Sequence, residues 1–271
     1  MRLDLAEPST LILLAWLGLL GLCIGSFLNV VIWRVPQGMS LSRPPSHCPA
    51  CGQPLRPWHN VPLLSWLALR GRCAHCATPI PVRYPLVEVG CAALFVLVGL
   101  TRSGWELAPY AIASAGMLAL SIIDLEHFRL PDRVLGPTLA LTLAGFCVAA
   151  VGSDAVGSAP LLRALVGAAA ATALLGAIHL VQPAGMGFGD VKLAALCGLV
   201  LGWRGLGYVP VGLFAAFLLG AVVGVAVLAA GRGRGRKTAI PFGPFLCGAA
   251  LGVALVGDPL VEAVGSVLLA R

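Results

Sequence analysis

The feature of this chain that most constrains its fold is a series of long stretches without any charged residue. Six of them approach the ~20 residues with which an α-helix crosses a bilayer: Leu11–Trp33, Leu107–Ile123, Val134–Ser153, Ala164–Val181, Gly207–Ala230 and Thr238–Gly257. A seventh, Val89–Thr101, is long enough if it begins near Tyr84, and an eighth, Leu193–Trp203, is short. Because lipid offers the backbone no hydrogen-bond partner, each stretch is predicted to be a helix.

The composition excludes the main classes of water-soluble protein. Of the 271 residues, 59% are hydrophobic and 11% are charged, against roughly 25% charged in a soluble domain. A soluble enzyme, a disordered chain and a secreted disulfide scaffold are therefore excluded. Leu11–Trp33 is too long for the apolar part of a signal peptide and follows acidic residues, so it is interpreted as a retained helix. The predicted fold is an all-α polytopic membrane protein with about eight transmembrane helices.

The distribution of basic residues predicts the orientation of these helices. Residues 34–83 carry six arginines and no acid, which is typical of a cytoplasmic loop. When eight spans are counted from this loop, most other basic residues also fall inside, and both termini fall outside. The Arg-rich run at 231–237 then lies on the cytoplasmic side, where it is interpreted as an anchor near anionic lipid and not as a nucleic-acid site.

The loop at 34–83 contains two C-x-x-C pairs, separated by 21 residues. Two such pairs can hold one zinc ion in a tetrahedral shell of four thiolates. The predicted ligands are Cys48, Cys51, Cys73 and Cys76. Two disulfides are the alternative, but thiols stay reduced in the cytoplasm. A shell of four thiolates is closed, so the predicted zinc is structural.

Two of the carboxylates stand out as catalytic candidates. Counted in chain order, Asp124 ends an apolar run at the inner end of the third span, Leu107–Ile123, and Asp190 follows the glycine-rich segment 185–189 at the start of the sixth, Leu193–Trp203. Ionisable groups at membrane depth are costly and usually functional. Two facing carboxylates would share one proton, so that one could activate water while the other polarises a carbonyl, as in aspartic proteases.

Other acidic residues, and Asp190 itself, have structural interpretations. Asp190 could be a helix N-cap. Asp132 follows Pro131, a pattern typical of a helix start. Glu88 could be a polar contact within the bundle or an acid of a second site, and the sequence leaves both open.

Several segments resemble, in order, those of type IV prepilin peptidases. They are Gly25-Ser-Phe-Leu-Asn-Val-Val-Ile-Trp-Arg34, the paired C-x-x-C loop, Arg83-Tyr-Pro-Leu-Val-Glu88, Ile123-Asp124 with Leu130-Pro131-Asp132, Gly187-Phe-Gly-Asp190-Val-Lys192 and Ile240-Pro-Phe-Gly-Pro-Phe245. The resemblance extends from about residue 18 to residue 250.

This resemblance implies a bifunctional enzyme of the bacterial inner membrane, with its active site facing the cytoplasm. It would cut the basic leader from prepilins and pseudopilins of type IV pili or type II secretion, and then N-methylate the new N-terminal residue with S-adenosylmethionine. Asp124 and Asp190 occupy the family's catalytic positions, and the cysteine loop is typical of the methylating form. The implied domains are residues 1–100, associated with methylation, and residues 101–271, a six-helix peptidase domain. The implied partners are prepilin substrates and membrane lipid, without nucleic acid; the methyl-donor site is not located.

Two other functions would require patterns that this sequence does not show. A polytopic transporter with a structural zinc loop would have ionisable groups at mid-span and helices broken at matching positions of two halves, whereas the acids cluster at one edge. A membrane-tethered zinc-ribbon that binds nucleic acid would interleave basic and aromatic residues, but Trp58 and Trp66 flank an apolar stretch.

The predicted topology can be tested with reporter fusions. A reporter that is active only in the cytoplasm should work when fused after Lys237 and fail when fused after Arg204, because the two positions are predicted to lie on opposite sides of the membrane. The reverse pattern would contradict the count of eight spans.

Overall fold

The computed structural model describes residues 7–152, 158–183, 185–230 and 240–269. These residues form ten α-helices and two short 3-10 helices, at Pro57–Asn60 and Gly104–Glu106. The α-helices are α1 (Pro8–Arg34), α2 (Leu64–Ala68), α3 (Arg83–Thr101), α4 (Leu107–His127), α5 (Asp132–Gly152), α6 (Ala159–Val181), α7 (Phe188–Arg204), α8 (Tyr208–Ala229), α9 (Gly243–Val256) and α10 (Asp258–Leu269). The described residues contain no strand, and the predicted all-α class is confirmed. The basic run at 231–237 lies outside them.

Among the described residues, six helices are long and apolar enough to cross a membrane, and a seventh span results if the bent pair α9 and α10 is one crossing. The chain is therefore an integral, multi-pass membrane protein. The predicted count of about eight includes one further helix, α7, which corresponds to the short eighth stretch. Its 17 residues give a length of about 26 Å, less than the hydrocarbon thickness of about 30 Å.

The chain divides into two compact units, Met1–Arg102 and Ser103–Arg271. In the first unit, α1 and α3 pack with their backbones in contact. A Cβ atom on Gly21 would lie 2.6 Å from the Cα atom of Ala92, and one on Gly25 would lie 2.6 Å from that of Glu88. Gly21 and Gly25, four residues apart on α1, form the small-residue pattern that lets membrane helices approach closely.

In the second unit, α7 is the most enclosed helix. Twelve of its 17 residues are buried, and it packs against α6 and α9 as well as α4, α5 and α8. The contact with α6 is again made by glycines, because a Cβ atom on Gly167 would lie 2.6 Å from the carbonyl oxygen of Gly198. Since neighbouring helices surround α7, Asp190 at its N-terminal end is buried within protein, and Arg204 at its C-terminal end is partly buried.

The C-terminal end of α7 is held by a polar cluster. The Arg204 guanidinium forms an ion pair with Asp258, the first residue of α10. The Tyr208 hydroxyl, at the start of α8, donates to the same carboxylate at 2.7 Å. These contacts join the ends of three helices, and Asp190 lies in the first turn of α7, at the other end of the helix.

Candidate functional site

Asp124 lies in the last turn of α4 and is 6% exposed. The helix ends four residues later because Phe128 adopts the left-handed conformation, with φ 53°, and its N–H donates to the Asp124 carbonyl. This C-terminal motif leaves the Asp124 side chain at the edge of the apolar run that precedes it, as the sequence predicts.

Asp190 lies in the first turn of α7 and is 8% exposed. The glycine-rich segment before it ends at Gly187, whose extended backbone forms the N-cap, and the Asp190 N–H donates to the Gly187 carbonyl at 3.1 Å. Asp190 is thus the third residue of the helix, and the N-cap position is occupied by Gly187. The interpretation of Asp190 as a simple N-cap is therefore wrong.

The two aspartates lie at the ends of α4 and α7, two helices that contact each other, and they are close enough for their charges to interact. A third helix end completes the arrangement. The N–H of Gly243, the first residue of α9, donates to the Asp124 Oδ2 atom at 3.0 Å, and α9 packs against both α4 and α7. Two buried carboxylates that repel each other favour holding a single proton between them, which is the state needed for combined acid and base chemistry.

Asp132 lies near this pair but has a different partner. It is the first residue of α5 and forms an ion pair with Lys192 on α7. Next to it, Leu130 packs on Gly189, where an added Cβ atom would lie 3.1 Å from the leucine Cβ. The segment from Leu130 to Asp132 therefore holds the start of α7 in position, which agrees with a structural role for Asp132.

Two residues that contribute to this site, His179 and Gly243, were not predicted from the sequence. His179, near the end of α6, donates its Nδ1–H to the Met186 carbonyl at 2.8 Å and so holds the glycine-rich segment. Gly243 contacts Asp124 from 119 residues away along the chain. An ionisable histidine at the end of an apolar span indicates a functional position, so His179 could have been predicted. Nothing in the local sequence connects Gly243 to Asp124.

The four cysteines of the first unit form the second candidate site. Their Sγ atoms all lie within 4.8 Å of one another, and those of Cys48 and Cys76 are 3.8 Å apart. Four thiolates at ~2.3 Å from a central zinc ion would be separated by about 3.8 Å, whereas the sulfurs of a disulfide are only about 2.05 Å apart. The cluster fits a structural zinc ion.

The two C-x-x-C pairs are carried by turns of the same type. In the first, the Cys48 N–H donates to Gln53 and the Gly52 N–H to Cys48; in the second, the Cys73 N–H donates to Thr78 and the Ala77 N–H to Cys73. Gly52 and Ala77 occupy equivalent positions and both have positive φ, at 71° and 57°. The left-handed backbone at this point turns each pair back on itself, so that all four sulfurs converge.

The thiols of this cluster differ in acidity. The Thr78 hydroxyl and backbone lower the pKa of the Cys76 thiol to about 6. For Cys51, the Gln53 backbone lowers the pKa, but burial and the adjacent thiols of Cys48 and Cys76 raise it to about 11. Four neighbouring thiols cannot all ionise without a counter-charge, which a divalent cation would supply.

Glu88 has a structural contact in the first unit. This residue of α3 is 8% exposed, and its Oε2 atom accepts a hydrogen bond from the Leu63 N–H at 2.7 Å. Leu63 immediately precedes α2 in the cysteine loop. Of the two interpretations left open above, the polar contact is therefore present, and it fastens the loop to α3.

Family models match two consecutive parts of the chain. Residues 19–101 match the model described as the bacterial Peptidase A24 N-terminal domain, and residues 111–225 match that of the type IV leader peptidase family. The gap between the two matches contains the boundary between the compact units, which follows Arg102.

Characterised relatives match most of the chain. A prepilin leader peptidase/N-methyltransferase from Myxococcus xanthus is 44% identical over 82% of this chain, which spans 65% of that relative's length. Proteins of the same name from Burkholderia pseudomallei and Pseudomonas putida are each 38% identical, over 93% and 94% of this chain and 88% and 93% of their own lengths. No solved structure gives a significant match. These matches support the leader peptidase interpretation over the transporter alternative.

We predict that the purified protein carries about one zinc ion per chain, measured by elemental analysis. Cys48→Ser and Cys76→Ser should each remove the metal, because three thiolates leave the tetrahedral shell incomplete. Cys147→Ser, which alters an exposed cysteine of α5, should retain it. A metal-free wild-type protein with a Cys48–Cys76 disulfide would contradict the zinc assignment.

Proposed function

Because this chain belongs to the type IV leader peptidase family, we propose that it is a bifunctional enzyme that cleaves the leader from prepilins and pseudopilins and then N-methylates the new N-terminal residue. The peptidase is of the aspartic class, with Asp124 and Asp190 as its catalytic residues. The observation that carries this proposal is the convergence of these two buried carboxylates at the ends of α4 and α7.

Hydrolysis requires that the two carboxylates hold one proton between them. The ionised carboxylate takes a proton from a water molecule, whose oxygen attacks the carbonyl carbon of the scissile bond. The protonated carboxyl donates a hydrogen bond to the carbonyl oxygen, which gains negative charge. The tetrahedral carbon then expels the nitrogen of the mature chain, which takes the proton that the carboxylate had removed from water and leaves as a free amine. Gly243 orients Asp124 for this work through its N–H.

Methylation follows cleavage because the accepting amine does not exist before it. S-adenosylmethionine supplies a methyl group bound to a positively charged sulfur. The amine of the substrate must first lose its proton, and its lone pair then forms a bond to the methyl carbon as the bond from carbon to sulfur breaks. Such a transfer depends mainly on holding the two reactants in line. We assign this activity to residues 1–100, with a zinc ion on Cys48, Cys51, Cys73 and Cys76 as the structural support of the loop.

The proposed location is the bacterial inner membrane, with the aspartates facing the cytoplasm. The arginines of residues 34–83 support this orientation by the positive-inside rule. On that side the basic leader of a prepilin would meet the enzyme before it crosses the membrane. The proposed partners are prepilin substrates of type IV pili or type II secretion, together with membrane lipid; no nucleic-acid partner is proposed.

The peptidase mechanism predicts that Asp124→Asn and Asp190→Asn each abolish cleavage, because an amide cannot exchange a proton with water. Asp132→Asn should keep most of the activity, since Asp132 is paired with Lys192 and is largely exposed. The measurement is the loss of the leader mass from a purified prepilin. As a control for folding, the Asp190→Asn enzyme should still methylate a peptide that already begins at its mature residue. Full cleavage by either aspartate variant would exclude the aspartic mechanism.

Gly243 provides a test that leaves both carboxylates intact. A Cβ atom at this position would lie 2.7 Å from the Asp124 Oδ2 atom, so Gly243→Ala should displace the carboxylate and lower the rate of cleavage on the order of 100-fold. Gly248→Ala, in the same helix, adds a Cβ atom with no described neighbour within 4 Å and should cleave at the wild-type rate. Equal activity of the two variants would show that the contact between Gly243 and Asp124 does not position the carboxylate.

A further inference from the structure

The first unit contains a cavity of about 510 Å³ that the peptidase mechanism does not use. It is enclosed by the C-terminal half of α1, the cysteine loop and the start of α3, and its wall includes the metal-binding residues Cys48 and Cys73. Cavities that hold small molecules typically measure roughly 300–1,000 Å³. The volume is therefore suited to a cofactor-sized ligand.

One wall of the cavity carries a buried acceptor without a partner. Asn29 lines the cavity and is 3% exposed. Its Nδ2 atom donates to the Tyr84 carbonyl at 3.1 Å, which fixes the orientation of the amide. Its Oδ1 atom accepts no hydrogen bond from any described residue. Leaving a buried polar atom unpaired is unfavourable, so this oxygen favours a ligand that donates a hydrogen bond.

Two charged side chains lie in the wall, one basic and one acidic. Arg34 and Glu88 both line the cavity. The Arg34 guanidinium donates to the backbone carbonyls of Ser40, Leu41 and Pro44 at 2.7–3.3 Å. These N–H groups are therefore not available to a ligand. Glu88 accepts the Leu63 N–H with its Oε2 atom, and it is the only acidic residue among the described residues of the wall. The cavity wall therefore contains one carboxylate, on α3, next to a loop that is rich in arginine and has no acidic residue.

Aromatic side chains supply flat surfaces around these polar groups. Trp66 is fixed by a hydrogen bond from its Nε1–H to the Ile80 carbonyl at 3.3 Å, and it packs on Gly71, where a Cβ atom would lie 2.9 Å from the indole ring. Trp33 and Tyr84 also line the cavity. Aromatic rings of this kind stack with heterocycles and attract cations to their faces.

We propose that this cavity is the binding site for S-adenosylmethionine, an inference that rests on the methyltransferase activity proposed above. The ligand is of the required size, has a positively charged sulfur, carries hydrogen-bond donors on its base, ribose and ammonium group, and contains an aromatic base. Asn29 accepts one of those donors, Glu88 balances the positive charge, and the tryptophans pack against the base. Because both metal-bearing turns form part of the wall, the zinc ion maintains the shape of the cavity.

The first test is the binding of labelled S-adenosylmethionine to the full-length purified protein by equilibrium dialysis. Asn29→Leu removes the acceptor with little change in side-chain volume and should weaken binding about tenfold or more. Gln37→Leu is the matched control. Gln37 has an exposed side-chain amide, lies just after the end of α1 and is not part of the cavity wall. It should bind as the wild type does. Zinc content and the melting temperature in detergent report whether each variant is folded.

A second test fills the cavity with a large side chain and leaves the buried polar groups unchanged. Ala50 is exposed and lies in the wall, whereas Ala68 is exposed and lies outside it. Ala50→Trp should abolish binding of the methyl donor by filling the cavity, and Ala68→Trp should not. Unlabelled S-adenosylhomocysteine should compete for the wild-type site, because it differs from the donor only by the methyl group and the charge.

The outcomes separate this inference from the proposed function. If Asn29→Leu and Ala50→Trp are folded and bind the donor as the wild type does, the cavity is not its site, even though the protein methylates. If the variants bind the donor normally but require more substrate peptide or lipid for activity, the cavity holds that molecule instead, and the inference is wrong. If the wild type neither binds the donor nor methylates a pre-processed peptide, the methyltransferase proposal itself fails.

Discussion

The absence of water in the bilayer core is the constraint from which the rest of this structure follows. Backbone groups in lipid must form hydrogen bonds within their own segment, so the described spans are helices and irregular backbone is confined to their ends. The polar groups of the candidate site also lie at helix ends. Asp124, Asp190 and the Gly243 N–H all lie within a turn of a helix end, where free backbone groups and access to water occur together.

The electrostatics of these ends are complementary. A carboxylate at the C-terminus of α4 faces the negative end of its own helix dipole, which is unfavourable. The N-terminus of α9 offsets this cost by donating the Gly243 N–H to Asp124. Asp190 benefits from the positive end of α7 but lies in the field of Asp124. The N-termini of α7 and α9 therefore both stabilise negative charge on the two aspartates. Repulsion between the two carboxylates opposes the ionisation of both.

The cysteine loop is stabilised in a different way from the membrane helices. It has few buried apolar side chains of its own, and its two C-x-x-C turns depend on positive φ at Gly52 and Ala77. A metal ion can supply the cohesion that a small core cannot, and Glu88 adds a link from the loop to α3 through Leu63. The cavity beside Asn29 lies against the metal-bearing turns, so the stability of the loop and the chemistry proposed for it are linked.

Local sequence alone determined the helical class, the apolar spans, the four cysteines and the two aspartates, because hydropathy, ligand spacing and isolated charges are properties of a few neighbouring residues. Tertiary structure alone decided that α7 is enclosed by other helices, that Gly243 contacts Asp124 and that Asn29 faces a cavity with a free acceptor. Each of these depends on how closely helices distant in the chain approach one another. That approach is set by the packing of side chains and glycines across the interface, which no single segment encodes.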